Sequence, residues 1–164
     1  MKKLILIFSM ALVLALANKF IFHPDITFIR YEIEKYEPVG EGTGPDMCPA
    51  PSVLSAPKEI GIETAKCFYD KGVAFIDARD QDIYDEGTIK GAISIPFNDF
   101  DPGYVDDYEI DLDVLYVIFC DGGDCTLGAD LAEVLFDLGF EMLLLYEGGF
   151  PEWTENLYPV NRVQ

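Results

Sequence analysis

Leu115-Tyr116-Val117-Ile118-Phe119-Cys120-Asp121-Gly122-Gly123-Asp124-Cys125-Thr126 decides how the chain is read. The apolar run Leu115 to Phe119 suits a buried strand. Residues Thr126 to Leu138 suit a helix, because Leu127, Leu131, Val134, Leu135 and Leu138 recur on one helical face. A cysteine is thereby placed at the carboxyl end of a strand, before a glycine-bearing loop that opens a helix. Backbone N–H groups of such a loop and of a helix start favour anions. A sulfur held there is favoured as thiolate, the attacking form. Gly122 and Gly123 suit a loop that needs positive φ.

Outward from this stretch, Ala74-Phe75-Ile76, Ala92-Ile93-Ser94-Ile95 and Met142 to Tyr146 are further short core strands. Ile62 to Lys71 suits a helix stopped by Gly72, Asp80 to Glu86 a short helix, and the segment after Glu147-Gly148-Gly149 a terminal helix beginning near Pro151. Asn98 to Asp113 is an acidic loop or irregular helix with a solvated face. Strands alternating with helices imply an α/β fold with a mainly parallel central sheet flanked by helices. Sites in such sheets form at strand carboxyl ends. Cys120, Asp77-Ala78-Arg79 and Gly148-Gly149 all fall there.

The N-terminus is of another kind. Lys2 and Lys3 precede an apolar run from Leu4 to Ala17, ending in Ala15-Leu16-Ala17. This is either a signal peptide cut after Ala17 or, continuing to Phe22, a transmembrane anchor. In both cases the lysines stay inside and the domain is exported, to the periplasmic side of the cell envelope. The expected organisation is 1–22 signal peptide or anchor, 23–56 juxtamembrane arm, and 57–164 domain. Export makes disulfides admissible among Cys48, Cys67, Cys120 and Cys125, with the pairing open. Cys67, on the first helix, reads as structural.

A formal charge of −19 over 164 residues excludes nucleic acid as a partner, since phosphate binding needs clustered Lys and Arg. The lone histidine, His23, precedes the domain, so no Cys/His couple is available. No metal-type spacing and no cofactor motif is present.

The ordered set Phe75-Ile76-Asp77-Ala78-Arg79, Tyr84, Gly87-Thr88-Ile89-Lys90-Gly91-Ala92, Ile95-Pro96, Phe119-Cys120-Asp121-Gly122-Gly123, Tyr146-Glu147-Gly148-Gly149 and Trp153 resembles a single rhodanese domain over about residues 57–160. The resemblance implies the rhodanese-like fold and sulfur transfer, with Cys120 as the nucleophile that carries a persulfide. Asp121, Gly122, Gly123, Asp124, Cys125 and Thr126 would be its loop of backbone amides, with Asp77, Arg79, Gly148 and Gly149 adjacent. Three departures stand out. Thr88 replaces the family's common histidine. The loop carries Asp121 and Asp124 but no basic residue, and each carboxylate opposes thiolate formation by about a pKa unit. This disfavours thiosulfate and favours a thiol, a persulfide or a protein disulfide as donor or acceptor. Asp124 is alternatively a helix cap. Finally, Cys125 is either a resolving cysteine for Cys120 or a first-turn filler. A non-catalytic accessory subunit of a membrane redox complex is the alternative to a sulfurtransferase. A phosphatase would need an arginine at the loop's end, and the chain has none there.

Overall fold

The computed structural model describes residues 33–35 and 54–161. The expectations for 1–22, for Cys48 and for most of the arm lie outside the described residues. Among the described residues, no helix is long and apolar enough to cross a membrane.

In chain order the elements are β1 (Lys58–Ile60), α1 (Ile62–Asp70), β2 (Ala74–Asp77), α2 (Gln81–Glu86), β3 (Thr88–Ile89) and β4 (Ile93–Ser94). They continue with β5 (Tyr116–Phe119), α3 (Leu127–Asp137), β6 (Leu143–Tyr146), α4 (Gly149–Glu155) and β7 (Val160–Asn161). Five strands form a parallel sheet in the order β1-β6-β5-β2-β4. β3 and β7 make a separate antiparallel pair.

The central strands are apolar, save Asp77 at the end of β2, because both sheet faces are covered. Val117 and Phe119 of β5 join Phe75, Leu144 and Tyr146 in a core closed by α1 and α4. Tyr116 and Ile118 point the other way, into a core with Ile76, Leu143 and the α3 residues Leu131, Ala132 and Leu135. Trp153 of α4 is fully buried and meets the rings of Tyr69, Phe75, Tyr146 and Tyr158 at 5.0–6.2 Å. Aromatic pairs in this range add about 0.5–1.5 kcal/mol each beyond their buried area.

The expected elements appear within a residue or two, with a few differences. The terminal helix starts at Gly149, ahead of Pro151. The acidic segment forms 3₁₀ turns at Phe97–Asp99 and Pro102–Tyr108. Its carboxylates face outward while Phe97, Phe100, Val105, Tyr108 and Ile110 pack on the α3 side, so it also covers the sheet. The two-residue strands β3 and β7 and the edge strand β1 carry too little apolar pattern to be read from sequence. Lys35 bridges to Glu59, the Glu59 N–H donates to the Glu34 carbonyl at 2.9 Å, and Lys58 pairs with Glu34. Residues of the arm thereby extend the edge of β1.

The chain leaves β5 toward β6 on one side and β2 toward β4 on the other. Connections that diverge like this leave a crevice at the strand carboxyl ends. Asp77 ends β2 and Cys120 directly follows β5 at this point.

Candidate active site

Cys120 is buried, with 4% of its surface exposed, and Cys125 is half-buried. The two are joined in a disulfide, with Cα atoms 6.6 Å apart. Between them the backbone turns sharply: Gly122 and Gly123 have φ of 69° and 59°, and the Cys125 N–H donates to the Gly122 carbonyl at 3.1 Å. The N–H groups of Asp121, Gly122, Gly123 and Asp124 donate to no backbone carbonyl among the described residues. Thr126 occupies the cap position of α3, and its hydroxyl bonds the Asp130 carboxylate at 2.8 Å. Asp124 is not the cap, because the helix starts later, at Leu127.

The loop is locked from the side by the turn after β6. A Cβ added at Gly149 would overlap the Cys120 carbonyl oxygen and the Gly122 nitrogen, and one at Gly122 would overlap the Gly148 carbonyl. The Phe150 N–H donates to the Cys120 carbonyl at 2.8 Å. Two backbones thus meet with no side chain between them, which only glycine permits.

A third element reaches the loop from β2. Asp77 and Arg79 are 0% and 3% exposed. Arg79 donates from Nε to Asp77 Oδ1 at 2.9 Å and from Nη2 to Oδ2 at 2.6 Å. Its Nη2 also reaches the Gly87 carbonyl at 2.8 Å, and its Nη1 lies 3.3 Å from Asp121 Oδ1. The guanidinium stacks 4.4 Å from the Phe150 ring centroid. Burial works against its charge, but Asp77 and then Asp121 outweigh burial and hold its pKa above the ordinary arginine value. The loop carries no cation of its own, yet Arg79 supplies one to Asp121. Asp77, Arg79 and Asp121 together keep one net negative charge, and Asp124 adds a second beside an exposed rim.

The sequence pattern of the Rhodanese-like domain family matches residues 63–156. The chain belongs to this family. The solved structures of a protein from Bacillus halodurans and one from Lactobacillus plantarum are each 26% identical to it, with TM-scores of 0.57 and 0.53. Each alignment covers 63% of this chain, and 76% and 87% of the respective relative. The human single domain sulfurtransferase TSTD1 is 24% identical, covering 62% of this chain and 97% of its own, with a TM-score of 0.51, and shares the fold. No curated protein sequence is similar enough to count as a match.

Within this rhodanese-like domain, the structure brings Cys120, Cys125, Asp77, Arg79, Gly148 and Gly149 into one site. Cys67 lies elsewhere, on α1, and is also disulfide-bonded. Further contacts complete the site. Thr88, buried, donates its hydroxyl to Asp77 Oδ2 at 2.7 Å. Phe150, which its place after the Gly148-Gly149 turn puts at the site's rim, covers Arg79. Tyr146 donates to Glu152 Oε2 at 2.9 Å, and the Glu152 carboxylate folds over Gly148, whose missing Cβ makes the room. The Thr88–Asp77 and Tyr146–Glu152 bonds needed the fold.

Tyr146 yields a pH prediction. Burial first, then the bond to Glu152, pushes its phenol far above the ordinary value of about 10. The folded pKa is raised, so this stabilisation is complete below about pH 10 and is lost as pH rises beyond it. Tyr84, also raised chiefly by burial, acts in the same direction. Denaturant melts are expected to show a steep alkaline loss of stability that Tyr146→Phe makes shallower. Equal slopes in the two proteins would refute the assignment.

Proposed function

We propose that the chain is a sulfurtransferase-type thiol protein in which Cys120 accepts a sulfane sulfur from a persulfide and passes it to a thiol. The observation that carries this is the bridged pair Cys120–Cys125 in a loop of available amides at the sheet's crevice. Once reduced, such a pair offers thiolates that can take part in sulfur–sulfur exchange. Membership of the rhodanese-like family supports the reading, as does the shared fold with a human protein named a sulfurtransferase.

In the reduced protein the Cys120 thiolate attacks the terminal sulfur of R–S–SH. The S–S bond of the donor breaks, RS⁻ leaves with its electron pair, and Cys120 carries the persulfide. An acceptor thiolate then attacks that outer sulfur and Cys120 leaves as thiolate. Backbone amides favour the anion at each stage. The net negative charge of the site opposes thiosulfate, a dianion, more than a thiol or persulfide. The chain would work in the cell envelope, held by an anchor at 1–22 or released by cleavage after Ala17. The apolar run behind Lys2 and Lys3 supports that placement.

The test is intact-protein mass spectrometry of the reduced Cys125→Ser variant, which cannot form the bridge, with glutathione persulfide or thiosulfate as donor and Cys120→Ser as control. One added sulfur from glutathione persulfide, absent in the control and at least about tenfold slower from thiosulfate, is expected. Fast loading from thiosulfate would overturn the donor class. No sulfur from either donor would favour a non-catalytic accessory subunit of a membrane redox complex.

A further inference from the structure

We infer that the persulfide is resolved internally: Cys125 displaces the outer sulfur of the Cys120 persulfide, and the domain works as a persulfide reductase that releases hydrogen sulfide. This rests on the proposed loading of Cys120 and concerns the fate of the sulfur after it.

The argument is proximity. The Cα atoms of Cys120 and Cys125 stand 6.6 Å apart, inside the range for direct sulfur contact. Contacts besides the bridge also hold the loop: the turn bond from the Cys125 N–H to Gly122, the start of α3 at Leu127 and the lock by Gly149. Cys120 Sγ also lies 3.5 Å from the Cys125 carbonyl oxygen, which accepts from the thiol once the bridge is reduced. A second thiol so placed acts at an effective concentration far above that of any free acceptor. Burial sharpens the contrast. Cys120 is enclosed, so an external acceptor must enter the loop to reach its outer sulfur, while Cys125 is already in the wall.

The Cys125 thiolate attacks Sγ of Cys120, the bond from Sγ to the outer sulfur breaks, and HS⁻ leaves with the electron pair. The Cys120–Cys125 disulfide remains. A dithiol reductant regenerates the pair. Its first thiolate attacks the more exposed Sγ, that of Cys125, and Cys120 departs as thiolate. Its second thiolate displaces Cys125 and closes the reductant's own disulfide. In sum, one persulfide and one dithiol give one thiol, one hydrogen sulfide and one disulfide. Asp121 and Asp124, by repelling anions, favour departure of HS⁻ over its return.

The test is a single turnover. Full-length protein is reduced, freed of reductant and mixed with equimolar glutathione persulfide. Hydrogen sulfide and intact mass are then followed together. The wild type is expected to release one equivalent of hydrogen sulfide per chain and to end as the Cys120–Cys125 disulfide. Cys125→Ser and Cys125→Ala are expected to hold the added sulfur on a timescale on the order of a hundredfold longer. A wild-type persulfide as long-lived as in both variants, discharged only by added thiol, would overturn this inference and leave sulfur transfer standing. Absence of added sulfur in both variants, with no hydrogen sulfide from the wild type, would overturn the loading of Cys120 and this inference with it.

Discussion

Arg79→Met is expected to destabilise the domain by about 3–5 kcal/mol at neutral pH, the cost of leaving a buried charge without its partner. Asp77 has no exposed surface and accepts two side-chain bonds from Arg79. With the guanidinium gone, its carboxylate keeps the backbone N–H of position 79 at 3.1 Å and the Thr88 hydroxyl, but no cation. Pairing the change with Asp77→Asn removes the stranded charge and is expected to recover part of the stability. Denaturant unfolding followed by Trp153 fluorescence measures both effects. A loss under about 1 kcal/mol would show that the pair is not buried as described.

Gly149→Ala is expected to cost about 3 kcal/mol or more and to displace the cysteine loop. The left-handed backbone at φ 63° alone costs an alanine about 1–2 kcal/mol. The remainder comes from collision with backbone atoms of Cys120 and Gly122, which have no rotamer to escape into. Gly123→Ala is the internal comparison. It has a similar φ of 59°, but nothing lies within 4 Å of an added Cβ. Only the conformational cost of about 1–2 kcal/mol remains there. The readouts are unfolding free energy and the rate at which the reduced chain reforms the Cys120–Cys125 bridge. If the two alanine variants behave alike, the lock between the loop and the Gly148-Gly149 turn does not exist.

The strands and helices that carry a continuous apolar run or a helical repeat are legible in the sequence itself. Leu115 to Phe119, Met142 to Tyr146 and the α3 repeat are of this kind, and each falls where expected. β3 and β7 are not, because two residues have no period and their pairing joins Thr88 to Asn161, far apart in the chain. At the site, the sequence pointed to Cys120 and to the neighbours that end other strands. For Asp77 and Arg79 it pointed to a salt bridge or cap beside the site, and the two form an ion pair there. The sequence could not show that Asp121 has a cation beside it, because Arg79, which follows β2, reaches its carboxylate only in the fold. The acidic segment after Pro96 showed its charges and hid its purpose, because 3₁₀ turns place the intervening aromatic and aliphatic residues inward without an α-helical period.

The meeting of Gly122 with Gly148 and Gly149 has a consequence for anyone who would transplant the cysteine loop. The segment from Phe119 to Thr126 carries both sulfurs, but not the surface that shapes it. That surface belongs to a later part of the chain, and the Phe150 N–H fastens the two together. A loop grafted onto another scaffold, or a fragment ending before Gly148, would keep the chemistry's atoms and lose their mould. The smallest portable unit is therefore discontinuous: β5 with its loop, and the Gly148-Gly149 turn with the helix that buries Trp153.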